Sequence, residues 1–253
     1  MARIDQLLVQ RALASTRSQA QRLIADGVEW QQGQVWRRVA KNGDEVPDDA
    51  PLRLLNDAEA RYVSRGGLKL EAALAAAGVS VKGRQCLDVG QSTGGFTDCL
   101  LQHGAAHVVG VDVGSAQLHP SLRADARVQC VEKCNARALT SDDLRDAQVL
   151  DPTFDLIVVD LSFISQTLVL PAVVPLLKPG GVLLSLVKPQ FELQPGQVGK
   201  GGIVKDAALY ALVQQRLRDA CAALGLSVTH WFDSPIAGGD GNHEFFICAK
   251  APL

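Results

Sequence analysis

One stretch constrains this chain more than any other: Leu87-Asp88-Val89-Gly90-Gln91-Ser92-Thr93-Gly94-Gly95-Phe96-Thr97-Asp98, an apolar run, a loop of small residues and a helix start. It reads as strand, ligand loop, helix. The small residues at 90, 92, 94 and 95 let a ligand approach the backbone, and glycine accepts φ values that other residues resist. The spacing G-x-x-x-G-G is not the G-x-G-x-x-G of dinucleotide binders, so a pyrophosphate cradle fits poorly. Further on, His107-Val108-Val109-Gly110-Val111-Asp112 is a second apolar run closing on a carboxylate, where open α/β sheets place a ribose acceptor. A nucleoside ligand without a diphosphate satisfies both features, and S-adenosylmethionine is the obvious candidate. The residues expected to bind it are Asp88, Gly90, Gln91, Ser92, Thr93, Gly94, Gly95, Asp112 and, after the next strand, Asn135.

The pattern around that loop alternates strand and helix. Strands are expected near 85–89, 108–112, 128–132, 156–160, 182–187 and 228–232, with a long helix at 206–224 carrying Ala207, Leu209, Leu212, Val213, Leu217 and Ala220 on one side. A final strand at 244–249 follows a loop too tight for another helix, so it is expected to enter antiparallel on an otherwise parallel sheet. The fold class is therefore α/β, with a seven-stranded Rossmann-like sheet and an antiparallel last strand.

A different module precedes it. Ile4, Leu7, Leu8 and Ala12 have helical spacing over 4–13, Ser15-Thr16 offers a cap, and a second helix at 17–25 is stopped by Gly27. A hairpin around Gln32-Gly33 and a strand at 51–55 complete a small α+β unit. Through residue 25 four arginines stand against the single carboxylate of Asp5, a local charge of +3 that suits a phosphate-binding face and equally an ordinary solvated helix. Residues 1–58 are expected to form this domain, 59–64 a linker, and 65–253 the α/β domain. Within the latter, Gly66-Gly67 opens a helix at 68–77 that carries Lys69 in its first turns.

Reactive groups collect at strand ends: Asp160 in Val158-Val159-Asp160-Leu161-Ser162-Phe163, Lys188 in Leu186-Val187-Lys188-Pro189-Gln190-Phe191-Glu192, and Glu244 in Asn242-His243-Glu244. The carboxyl ends of parallel strands and the start of an antiparallel neighbour share one edge, so the three can converge. A lysine directly after an apolar strand is partly desolvated and needs a carboxylate partner or a lowered pKa, and a lysine so placed can act as a base.

Composition excludes other classes. The 253 residues, 47% of them hydrophobic, suffice for one good core and a smaller module. The net charge of −2 supplies no global field for nucleic acid, so any RNA contact is local. The six cysteines form no C-x-x-C pair, which points to reduced thiols and no metal site. No apolar run approaches the roughly 20 residues of a membrane span, and the N-terminus carries no apolar leader, so a cytoplasmic protein is expected.

Two resemblances sharpen this. The order R-I-D-Q-L-L-V through S-T-R-S-Q-A-Q-R-L-I-A-D-G-V, over about 2–55, resembles the RNA-binding domain named after small-subunit ribosomal protein S-four. It implies that Arg3, Arg17, Gln19 and Arg22 face RNA. Across the whole chain, L-D-V-G-x-S-T-G-G-F-T-D, V-V-D-L-S-F-I-S, L-V-K-P-Q-F-E, V-G-K-G-G-I-V-K-D and G-N-H-E-F-F resemble the TlyA family, historically called hemolysins, which joins such a domain to an FtsJ-like methyltransferase domain. That resemblance implies S-adenosylmethionine-dependent 2′-O-methylation of cytidine in ribosomal RNA, with ribosomal RNA or a ribosomal subunit as partner. It also implies a Lys-Asp-Lys-Glu tetrad, here Lys69, Asp160, Lys188 and Glu244. Gln91, Ser115 and Cys134 depart from the family pattern. A membrane-active hemolysin and an inactive RNA-binding module are the competing readings. The absence of an amphipathic basic helix argues against the first, and the intact tetrad positions against the second.

Overall fold

The computed structural model describes every residue except 15, 56–59, 237, 239 and 240. Ser15 of the expected cap and the first residue of the expected linker therefore lie outside the described residues. The chain forms two compact units, Met1–Leu68 and Lys69–Leu253.

In the first unit, β1 (Ala2–Arg3) leads into α1 (Ile4–Gln10), and α2 (Arg17–Gly27) follows. Helix α1 stops short of residue 13 because Ala12 takes a left-handed φ of 55° and turns the chain. Thr16 caps α2 by accepting from the Gln19 N–H at 3.2 Å. Strands β2 (Val28–Gln32) and β3 (Val35–Arg38) make the hairpin, with Gln32 opposite Val35 and Gly33 at φ 60° in the turn. Strand β4 (Glu45–Val46) pairs with β1, and β5 (Leu52–Leu54) pairs with β2. Ile4, Leu7, Leu8, Leu23, Ile24 and Val28 bury the apolar faces of both helices in one small core.

The second unit opens within α3 (Gly66–Ala77), at Lys69, and Gly78 ends that helix at φ 63°. It continues through β6 (Gln85–Val89), α4 (Gly95–Gln102), β7 (His107–Val111), α5 (Pro120–Arg123), β8 (Val128–Val131), α6 (Ser141–Asp146), β9 (Phe154–Asp160), α7 (Leu170–Val173), β10 (Leu177–Val187), α8 (Pro189–Glu192), α9 (Ala208–Ala223), β11 (Ser227–Asp233) and β12 (Phe245–Lys250). The seven strands form a single sheet in the order β11-β12-β10-β9-β6-β7-β8. Strand β12 is antiparallel to both β10 and β11 and lies between them. Leu87, Val89, Val109, Val111, Ile157, Val159, Leu183 and Val187 form a buried cluster on one face, and Cys86, Val108, Leu156, Val158, Leu184 and Leu186 are buried on the other, as expected for a sheet covered on both faces. Helix α9 buries Val213, Leu217 and Cys221, whereas Leu212, expected on that face, is 53% exposed. The order reverses between β6 and β9, and ligands of open α/β sheets bind beyond the strand ends at such a reversal.

Candidate active site

The loop after β6 can pass the end of β9 only because residue 90 is glycine. Gly90 has φ 88°, and a Cβ there would lie 2.2 Å from the Asp160 carbonyl oxygen. Gly94, at φ 95°, starts α4, and a Cβ on it would meet Leu122 at 2.4 Å. Between them the Ser92 N–H donates to Asp112 Oδ2 at 2.7 Å, while the Gly114 N–H donates to Oδ1 at 2.7 Å. These bonds hold the Asp112 carboxylate at the rim of a cavity of about 520 Å³, whose wall includes Gly90, Ser92, Asp112, Asn135, Asp160 and Phe163. That volume suits a single nucleoside-sized ligand. Asn135 also receives the Arg137 N–H, which fixes the short turn that carries it.

The other expected cofactor residues have a different place. Asp88, Gln91, Gly94 and Gly95 are buried and Thr93 is exposed, and none of the five forms the cavity wall. The Gln91 amide donates to Thr97 Oγ1 at 2.9 Å, and Thr97 Oγ1 donates to Asp88 Oδ2 at 2.7 Å. Gln91 lies against Gly110 of β7, where a Cβ would come within 2.0 Å of its amide carbon. Asp88 is 0% exposed, and this burial pushes its carboxyl up to about 7. The amide of Gln91 therefore points down onto the sheet and not toward the cavity.

Strand register brings the reactive trio level. Leu186 pairs with Asp160 and Val187 with Phe245, so Lys188 and Glu244 follow side by side at the end of that ladder. Lys188 Nζ lies 2.5 Å from Asp160 Oδ1 and donates to Ser162 Oγ at 3.0 Å. From α3, Lys69 Nζ reaches Glu244 Oε2 at 2.5 Å, with the two residues 8% and 2% exposed. The structure thus gathers the four side chains into two ion pairs. Asp160 belongs to both regions, since it stands in the cavity wall and pairs with Lys188.

Three features of this edge gave no signal in periodicity or spacing. Phe163 is 89% exposed at a left-handed φ of 66°, and its ring centroid is 5.1 Å from that of Phe191. A β-unbranched aromatic held there with its face in water is unusual, and strained backbone concentrates at functional sites. Ser162 is the second partner of Lys188. Glu192 is 2% exposed and accepts from Ser165 Oγ at 2.5 Å and from the Gln166 N–H at 2.8 Å, so it ties the segment after β9 to α8. Burial pushes the Glu192 carboxyl above its ordinary range. The motif strings contain all these residues, but only the fold shows them touching.

In the first unit the expected RNA-facing residues separate. Arg3 donates twice to the Asp5 carboxylate, both bonds at 3.1 Å, and Arg17 donates to its Oδ2 at 2.8 Å. Asp5 is fully buried, and its bonds to Arg3 hold its carboxyl down at about 2. Gln19, expected to face RNA, is 3% exposed, and its amide donates to the Tyr62 carbonyl at 3.2 Å. Its place on the inner face of α2, beside Ala20 and Leu23, turns it away from solvent. Arg22 is half-buried and donates to the Ser18 carbonyl.

Among the described residues no group of three or more His, Cys, Asp or Glu side chains is placed to hold a metal ion. Burial pushes the Cys86 thiol up to about 12.

A model of the FtsJ-like methyltransferase family matches residues 62–251. The 16S/23S rRNA (cytidine-2′-O)-methyltransferase TlyA of Mycobacterium tuberculosis is 44% identical over 246 residues, 97% of this chain and 88% of that protein. The chain belongs to the TlyA family. The Bacillus subtilis member YqxC, named as an rRNA methyltransferase, is 46% identical over 97% of this chain and 84% of its own length. The solved structure of a Streptococcus thermophilus protein named as a hemolysin superposes with a TM-score of 0.76 at 39% identity, covering 99% of this chain and 88% of that one.

Proposed function

We propose that this TlyA-family chain transfers a methyl group from S-adenosylmethionine to the 2′-hydroxyl of a cytidine ribose in ribosomal RNA. The observation that carries this reading is the double placement of Asp160, in the wall of a nucleoside-sized cavity and 2.5 Å from Lys188. It joins a donor site to a base.

The residues present fit the cofactor. Gly90 leaves open the space a side chain would fill, and Asp112, pinned by two backbone N–H groups, presents fixed carboxylate oxygens to a pair of ribose hydroxyls. Bound there, S-adenosylmethionine supplies an electrophilic methyl group on a sulfonium. Once its ammonium has given up a proton, Lys188 takes the proton of the acceptor hydroxyl. Lys69 and Glu244 hold the ribose and orient Lys188, and Asp160 keeps Lys188 beside the donor. Holding the reactants in line contributes much of the rate. The exposed Phe163 ring offers a face on which the acceptor base stacks. The first unit delivers RNA, with Arg3, Arg17 and Arg22 as phosphate contacts that position without reading sequence. A ribosome-directed enzyme of this kind works in the cytoplasm. Among the described residues no helix is long and apolar enough to cross a membrane.

The test is to incubate the purified chain with labelled S-adenosylmethionine and ribosomal subunits and to map ribose methylation. Labelled 2′-O-methylcytidine is expected, and its absence from both subunits and their free RNA would sink the reading. Lys188→Ala is expected to abolish turnover while cofactor and RNA affinities stay within a few-fold. Substantial single-turnover methylation by that variant would remove Lys188 as the base.

A further inference from the structure

We infer that Ser162 is a positioning residue that, together with Asp160, fixes the direction in which Lys188 presents its lone pair to the acceptor hydroxyl; this rests on the function proposed above. An amine nitrogen has three tetrahedral positions besides its bond to Cε. As a neutral base it fills two with N–H bonds and one with the lone pair. Around Lys188 Nζ the structure places Ser162 Oγ as a hydrogen-bond acceptor at 3.0 Å and the Asp160 carboxylate as an ion-pair partner, with Oδ1 at 2.5 Å. The hydrogen bond to Ser162 fixes the direction of one N–H and the carboxylate attracts a second, which leaves the lone pair to the third position. With Asp160 alone, the amine would turn freely about the Cε–Nζ bond and the lone pair would sweep away from the acceptor for much of the time.

The surroundings hold Ser162 where this requires it. It is two residues beyond the end of β9, and the next residue, Phe163, has the left-handed φ of 66° that turns the segment. Three residues on, Ser165 Oγ and the Gln166 N–H donate to the buried Glu192, and the Gln166 side-chain amide donates to the Leu186 carbonyl at 2.6 Å. Leu186 and Glu192 flank Lys188 in sequence, so the segment bearing Ser162 is bound on both sides of the lysine it contacts. Such double support is what a reactive group needs to keep a productive angle. Ser162 is itself exposed and stands in the cavity wall, so replacing its hydroxyl disturbs no core.

The step balances without any further reactant. The acceptor O–H bond breaks and its proton goes to Lys188 Nζ. The new O–CH₃ bond forms as the S–CH₃ bond breaks, and the positive charge passes from sulfur to the lysine. The resulting ammonium has three N–H bonds, one of them donated to Ser162, and its charge faces the Asp160 carboxylate.

Ser162→Ala and Ser162→Thr test this in the full chain. For Ser162→Ala, kcat is expected to fall roughly tenfold or more, the scale of a misoriented reacting group. The KM for RNA and the affinity for S-adenosylmethionine change by much less than the rate. Ser162→Thr, which keeps the hydroxyl, restores most of the rate. A second readout needs no donor and no turnover: with 13C-labelled lysine, the Lys188 Cε resonance reports an ordered methylene in the wild type and in Ser162→Thr, and a mobile one in Ser162→Ala. Unchanged kcat and unchanged Lys188 order in Ser162→Ala would overturn the inference, as would a loss of RNA or cofactor affinity as large as the rate loss. A wild-type chain that methylates no ribosomal RNA would instead overturn the proposed function, and this inference with it.

Discussion

Two buried carboxyls at the scale of single residues respond to pH in opposite senses. Asp88, with its carboxyl raised from 3.8 to about 7 by burial, keeps its proton in the folded chain while the unfolded chain loses it. Its contribution to stability is therefore full at acidic pH, declines as pH rises from about 4 to about 7, and is constant above. Urea midpoints across that range should fall less in Asp88→Asn than in the wild type; parallel curves would show that Asp88 is ionised when folded. Asp5, lowered to about 2 by its arginine partners, contributes stability that is present above about 4 and lost as pH falls through about 2. At the cavity rim, Asp112→Ala is expected to weaken S-adenosylmethionine binding by about 1–3 kcal/mol, the scale of a lost charged hydrogen-bond partner. Calorimetry showing unchanged affinity would remove Asp112 from the cofactor site.

At the scale of elements, the junction of the segment after β9 with α8 decides the geometry of the edge. Glu192 accepts from Ser165 and Gln166, and Arg216 of α9 donates to the Glu192 carbonyl. Removing the carboxylate leaves those donors buried without it, so Glu192→Ala should cost about 1–3 kcal/mol in urea unfolding and lower kcat as well. A variant as stable and active as the wild type would show that the junction holds without Glu192. Phe163 sits on the same segment with its ring in water. If it stacks on the acceptor base, Phe163→Ala should raise the RNA dissociation constant by about 1–3 kcal/mol in free-energy terms, a larger loss than any in cofactor affinity. Equal RNA binding by the two proteins would leave the ring without that role.

For the molecule as a whole, the question is whether the first unit delivers RNA. The ion pairs of Asp5 change how that must be tested. Losing both Arg3 and Arg17 would strand a fully buried carboxylate, so such a variant is expected to destabilise the first unit as well as to bind RNA less. Arg22 donates to the Ser18 carbonyl on its own helix, and Arg22→Ala leaves both arginine partners of Asp5 in place. It should weaken RNA binding and reduce the salt slope by roughly one unit while leaving cofactor affinity alone. RNA affinity equal to the wild type at every salt concentration would take Arg22 off the docking surface.

The sequence by itself determined the α/β class, the seven strands, the antiparallel final strand and the family. Each of these is written locally: residues 108–111 and 156–159 are apolar runs of strand length, and Gly90, Gly94 and Gly95 mark the loop between a strand and a helix. It also marked Asp160, Lys188 and Glu244, because residues at strand ends share an edge whatever the details of packing. Only the tertiary structure decided who pairs with whom. The Lys69–Glu244 contact spans 175 residues of chain, and Lys188 reaches back across 26 to Ser162. The same holds for the downward turn of Gln91, the inward Gln19, and the capture of Arg3 and Arg17 by Asp5. Side-chain direction at such positions depends on which neighbour offers a partner or a void, and that is set by the crossing of distant segments, which no local pattern records.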